Sequence, residues 1–88
     1  MIKIRYNKQS SKFFKQHQAV KNKFIANLKA FYLEETANVD IKRLQTPIEL
    51  YRMRIGKYRV IYSIEKNTLI LISVEKADTR RDIYKNFP

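Results

Sequence analysis

Three arginines carry the most informative chemistry in this sequence. Residues 51–62 read Tyr-Arg-Met-Arg-Ile-Gly-Lys-Tyr-Arg-Val-Ile-Tyr. Both arms alternate with a period of two, the mark of a half-buried strand. Gly56-Lys57 supplies a two-residue turn, with Gly at the first central position as a type II′ loop requires. Ile55 then pairs with Tyr58, and Arg54 stands opposite Arg59. Arg52 lies on the same face, opposite Ile61. Like charges facing each other across a strand pair are destabilising. No acidic residue lies between Leu50 and Ile64 to neutralise them. A fold that keeps this arrangement has an anion to bind, and phosphate suits the planar guanidinium forks. The bland alternative is a solvated edge strand defended by charge. It is weaker for Arg59, which sits on the middle arm of the meander.

The rest of the composition agrees with a polyanion partner. The chain of 88 residues has a formal net charge of +11. Such a surface attracts nucleic acid first and acidic proteins second. The charge is not a tail: residues 1–38 hold eight basic and two acidic residues, and residues 39–88 hold eleven and six. There is no cysteine and one histidine, so neither thiolate chemistry nor a structural zinc site is expected. No cofactor is expected either. Met-Ile-Lys-Ile-Arg-Tyr at the start alternates and is no signal peptide. No stretch approaches the roughly 18 apolar residues of a membrane span. The expectation is one domain over residues 1–88, soluble and cytoplasmic, with no membrane partner.

The elements that must position the arginines are legible in outline. Residues 2–6 alternate and predict a first strand. Asn7 or Ser10 offers a helix N-cap. Phe13, His17, Val20, Phe24, Leu28 and Phe31 recur at helical spacing up to about Glu35. They predict one long helix, or a helical hairpin broken near Gln18 to Asn22, ending at Thr36 to Asn38. Residues 38–49 read as a connector, with Pro47 barring a continuous helix. Leu50 to Ile55, Tyr58 to Glu65 and Leu69 to Glu75 predict three strands, the last pair joined at Lys66-Asn67. Lys76 to Pro88 reads as a polar tail, apart from Ile83, Tyr84 and Phe87. The order β-α-(α)-β-β-β predicts an α+β fold, an antiparallel sheet packed on N-terminal helices.

Extending the pairing through both hairpins sorts the side chains into two faces. Tyr51, Met53, Ile55, Tyr58, Val60, Tyr62, Ile64, Leu69 and Leu71 are expected against the helices. Arg52, Arg54, Arg59, Ile61, Ser63, Ile70, Ile72 and Val74 are expected on the other face. That face is basic at one end and apolar at the other. Its apolar end is either a partner site or covered by the chain's own tail.

The run Leu50 to Tyr62 resembles the central hairpin of the RelE/ParE superfamily of bacterial toxins. Asp40-Ile41-Lys42-Arg43-Leu44 resembles the Lys-x-Leu segment that precedes it there. Arg81-Asp82-Ile83-Tyr84 resembles the Arg-x-x-Tyr type of ending. The helical first half fits in length and position, so the resemblance spans essentially the whole chain. It implies a RelE-like microbial ribonuclease fold and one of two activities. RelE-like members are ribosome-dependent endoribonucleases that cut mRNA, contacting rRNA as they do so. ParE-like members inhibit DNA gyrase without chemistry of their own. A member with a decayed site is the third possibility. All imply a cognate antitoxin protein, with operator DNA reached only through it.

By that resemblance Arg52, Arg54 and Arg59 match the basic set of the sheet, and Tyr84 matches the C-terminal tyrosine. Cleavage through the 2′-hydroxyl needs a base, positive charge on the crowded phosphorane and an acid for the leaving 5′-oxygen. The arginines could supply the charge, but arginine is a poor proton carrier. Tyr84 is the candidate for proton transfer or base stacking; its bland reading is an anchor for the tail. Some relatives carry a basic residue or His shortly before that tyrosine. Here Ala77-Asp78-Thr79-Arg80-Arg81 stands there, leaving Arg80 or Arg81 for the role. Lys57 is a further phosphate or RNA contact. Asp78 is either a carboxylate near the site or an ion-pair partner of the arginines. An antitoxin segment is expected over the mixed face, so Ile61→Asp or Ile72→Asp is expected to weaken that complex without unfolding the domain.

Overall fold

A computed structural model describes residues 1–35 and 38–85. Thr36, Ala37, Phe87 and Pro88, invoked above for the helix end and the tail, lie outside them. The elements in chain order are β1 (Ile2–Tyr6), α1 (Lys8–Gln16), α2 (Gln18–Tyr32), β2 (Ile41–Arg43), β3 (Tyr51–Ile55), β4 (Tyr58–Lys66) and β5 (Ile70–Thr79). They form one sheet in the order β1-β5-β4-β3-β2, with the helices on one face. The α+β class is as expected. The sheet is mixed rather than wholly antiparallel, because β1 lies parallel to β5, from Ile2 opposite Ile70 to Tyr6 opposite Val74.

Local chemistry starts and breaks the helices. The Asn7 side chain accepts the Ser10 N–H at 2.9 Å, and the Asn7 N–H donates to the Ser10 hydroxyl at 3.1 Å. This reciprocal capping box satisfies two donors that a helix start leaves open. The helical hairpin is realised, with its break at His17, one residue before the predicted range. His17 has φ −135° and ψ 64°, outside the helical region. Its ring lies 4.4 Å from that of Phe13 and 4.9 Å from that of Tyr58, an interface position. Phe13, Phe14, Phe24 and Leu28 are buried against the sheet. Lys12, Lys15, Lys23 and Lys29 are exposed, as a solvated helix face requires. Helix α2 ends sooner than predicted, with the Leu33 N–H donating to the Lys29 carbonyl.

The last hairpin differs from the predicted register. Lys66 pairs with Ile70 and Ile64 with Ile72, around a three-residue loop at 67–69. The two-residue turn at Lys66-Asn67 would have placed Ile64 opposite Leu69. The difference is three residues, an odd number, and an odd slip moves every side chain to the opposite face. Ile70, Ile72 and Val74 therefore join the helix-facing core, and Leu71 does not. A bulge between Ile61 and Tyr62 then leaves Glu75 unpaired and flips the phase again. That second flip buries Ala77 with the core and sets Asp78 opposite Arg59. Residues 76–79, read above as tail, are thus strand. Beyond the end of β1, the Gln9 side-chain amide pairs with both the N–H and the carbonyl of Ala77, at 3.0 and 2.6 Å. A side chain here does what a neighbouring strand would do for an open edge.

The apolar end of the outer face is covered by the chain itself. Leu50, Ile61 and Ile83 form a second buried cluster with Leu44 packed against it. Ile61 is in that cluster and Ile72 is in the main core, both fully buried. The expectation that they form an open antitoxin surface is corrected on both counts. An ionised carboxylate in either place has no partner to offset its desolvation. Ile72→Asp should unfold the domain, while Ile72→Val should cost about 1 kcal/mol in urea denaturation. A folded, stable Ile72→Asp protein would contradict this core assignment.

Candidate functional site

The hairpin turn sets the arginines. Gly56 has φ +58°, in the left-handed region, as the first position of a type II′ turn demands. The pairings follow: Ile55 opposite Tyr58, Arg54 opposite Arg59, and Arg52 opposite Ile61. Period-two alternation then puts all three guanidinium groups on the face away from the helices.

They occupy different environments. Arg59, on the inner strand β4, is only 9 % exposed. Its Nη1 donates to the carbonyls of Gly56 and Tyr58, both at 2.9 Å, so the turn fixes the direction of the head group. Burial pushes the Arg59 pKa below its ordinary value, and the charges of Arg54, Arg52 and Arg80 push it the same way. Asp40 opposes them. An arginine side chain keeps its proton under such pressure, so the site holds a focused positive charge.

Asp40 is the site residue that sequence reasoning missed. Its Oδ1 lies 3.2 Å from Arg52 Nη2, and its Oδ2 lies 3.9 Å from Arg54 Nη1. The carboxylate absent from the hairpin itself comes instead from the connector, twelve residues before Arg52. It is held there because β2, absent from the prediction, pairs Ile41 with Met53 and Lys42 with Arg52. The Asp40 carbonyl then accepts the Arg54 N–H at 2.9 Å, continuing that ladder. Three residues are too few for periodicity to mark a strand. Alternation of Ile41 with Asp40 and Lys42 was the available signal. Asp78, the acid weighed as an ion-pair partner, has its Oδ1 on the Thr79 N–H at 2.8 Å.

The remaining candidates separate. The Arg80 N–H donates to the Lys57 carbonyl at 2.8 Å, which carries the β4–β5 ladder to the turn. Arg80 thus lies within electrostatic reach of Arg59. Arg81 is exposed, and its charge is felt at Asp82 instead. Lys57 Nζ lies 5.4 Å from the centre of the Tyr58 ring. Tyr58 packs on the helix-facing core, so this lysine leans away from the arginine face.

Tyr84 reaches the site from the other side. It is 52 % exposed and, with Arg52, Lys42, Arg43, Leu44 and Gln45, lines an open cleft of about 530 Å3. Its neighbour Ile83 is the buried anchor. The tail around them is tied by Lys76 Nζ, which donates to the carbonyls of Asp82 and Lys85 at 3.3 and 2.6 Å. The Lys85 ammonium, 3.0 Å from Asp82, holds that carboxyl below its ordinary pKa. The arrangement is a basic strip, with Arg80 at one end, Arg59 and Arg54 in the middle, and Arg52 beside Tyr84 at the other.

A protein of Methanocaldococcus jannaschii named "Putative toxin RelE1" is 47 % identical to this chain over 47 residues. The match supports membership of the RelE toxin family. It covers 53 % of this chain and 51 % of that protein, so the chain spans about half the length of the curated relative it matches. No family model matches the chain, and no solved structure does. The RelE resemblance and the α+β architecture are consistent with each other.

The strip carries a stability cost that can be measured. Arg54 faces Arg59 directly, and its pairing with Asp40 is long and half-exposed. Arg54→Gln should therefore stabilise the fold at low salt by a few tenths of a kcal/mol. The gain should shrink as salt is added. Chemical denaturation at two ionic strengths reads it, and a destabilised Arg54→Gln variant would count against the repulsion.

Proposed function

We propose that the chain is the toxin of a toxin–antitoxin pair and a ribosome-dependent endoribonuclease that cuts mRNA. The observation that carries this reading is Arg59, a buried arginine fixed by the hairpin turn amid three other arginines. Fixed positive charge is what an associative phosphoryl transition state needs, and it acts best where reorganisation is small. In the reaction the substrate's 2′-oxygen attacks the adjacent phosphorus and loses its proton. The P–O5′ bond breaks, leaving a 2′,3′-cyclic phosphate and a 5′-hydroxyl that gains a proton. Arg59 and Arg54 stabilise the equatorial oxygens, with Arg52 toward the Tyr84 end. Arg80 extends the charge toward a neighbouring phosphate. Tyr84 stacks on a base of the mRNA or moves a proton at one of the two oxygens. Its exposure leaves it open to a nucleotide. The lysine-bearing helices, on the far side of the sheet, supply further attraction to rRNA.

A second reading draws on Asp78. An acid, rather than a base, stands opposite Arg59 on β5, which favours a binding protein over a nuclease. In that reading the strip contacts a topoisomerase or the antitoxin and performs no chemistry.

Mapping mRNA 5′ ends after brief expression separates the two. The nuclease produces cuts phased with codons. Arg59→Ala should lower their frequency by about 10²–10³-fold while the protein stays folded. Intact mRNA together with induction of the DNA-damage response would overturn the nuclease and favour the second reading.

A further inference from the structure

We propose that Asp40 is a positioning residue that occupies the phosphate seat as a resident competitor, bridging Arg52 and Arg54 until an incoming phosphate displaces its carboxylate. The proposal rests on the strip being an anion site and deepens that reading by naming what holds the site when no anion is there.

The geometry has three parts. First, the backbone of Asp40 is fixed, because its carbonyl accepts the Arg54 N–H at 2.9 Å and Ile41 begins β2. The carboxylate is therefore delivered to one place on the strip. Second, its two oxygens are split between two arginines, at 3.2 Å to Arg52 and 3.9 Å to Arg54. Two oxygens of a phosphodiester present a similar pair of acceptors to the same two forks. Third, the carboxylate side of the pairing is open to water: the Asp40 side chain is 49 % exposed and that of Arg54 is 54 % exposed, while that of Arg52 is 15 % exposed. An ion pair in that setting contributes little and exchanges readily. The carboxylate can leave by side-chain rotation alone, while Arg59 stays clamped on the turn carbonyls.

Two consequences follow. The Asp40 carboxylate partly neutralises the strip, which eases the crowding of three arginines on adjacent strands. An incoming phosphate gains only the difference between its own contacts and those it displaces. On a chain of net charge +11, that exchange limits how firmly stray polyanions lodge in the site.

The test uses the full chain and two probes, inorganic phosphate and a short single-stranded RNA with 2′-O-methyl groups, which cannot be cut. Asp40→Asn should bind inorganic phosphate about five-fold more tightly, a change of ~1 kcal/mol. Its RNA affinity should rise similarly, with a salt slope steeper by about 0.7, one added phosphate contact. Asp40→Glu should return both to the parent values. Unchanged or weaker phosphate binding by folded Asp40→Asn would overturn the proposal. If Asp40→Asn is unfolded at low salt, added phosphate should restore its fold, and failure to do so would also overturn it. The underlying RNA reading is tested separately by Arg52→Ala with Arg54→Ala. Undiminished RNA binding there, alongside the phosphate gain in Asp40→Asn, would sink the RNA reading and leave Asp40 a competitor for small anions.

Discussion

Arg54 facing Arg59 across the Gly56-Lys57 turn is the constraint around which the site is built. It is unfavourable on its own terms. It persists because the opposite faces of the same strands are committed elsewhere. Met53, Val60 and Tyr62 are fully buried under the helices, and a one-residue slip would turn them to the other face. The core fixes the register, and the register places the arginines together. Gly56 allows the turn to close without a side-chain penalty, and the turn carbonyls then hold the Arg59 head group in place.

Around that contact the fold supplies partial relief. Asp40, set in place by β2 immediately after it, supplies the counter-charge, while Asp78 stands opposite Arg59 with its Oδ1 turned to the Thr79 N–H. Buried side-chain polar atoms among the described residues all have hydrogen-bond partners, so the tension is electrostatic and is not shared with the core. It lies on one surface, where a ligand can relieve it. Sites that bind charged transition states commonly carry strain of this kind, and the surrounding fold over-determines them. The second cluster of Leu50, Ile61 and Ile83 has a related role. It pins the tail to the outer face and leaves Tyr84 beside Arg52.

Much of this was legible in the sequence where periodicity was long and turn chemistry was specific. The β3–β4 hairpin has alternation on both arms and a Gly at the one position that needs it, and its pairings agree residue by residue. Asn7 was one of two cap candidates legible from type and place, and the other, Ser10, is its partner in the capping box. The β4–β5 connection was not legible, since the stretch Lys66-Asn67-Thr68-Leu69 accommodates a two-residue loop at 66–67 or a three-residue loop at 67–69. An odd difference there moved Ile70, Ile72 and Val74 across the sheet. The bulge at Glu75 has no local sequence mark, because it is met by the partner strand, by the cap residue Asn7 and by Gln9 of α1. Strand β2 was too short to show a period, and with it went Asp40. Of the candidate site, the charge on the strip could be read, and the counter-charge could not.

The central claim is that Arg59, Arg54 and Arg52 form one phosphate seat. NMR of the arginine side-chain Nε–Hε groups tests it most directly, during titration with a non-cleavable single-stranded RNA. The account predicts that the signals of all three arginines shift together and saturate at one RNA per chain. Shifts confined to the lysine-bearing helix surface, with the three arginine signals unmoved at saturation, would contradict it.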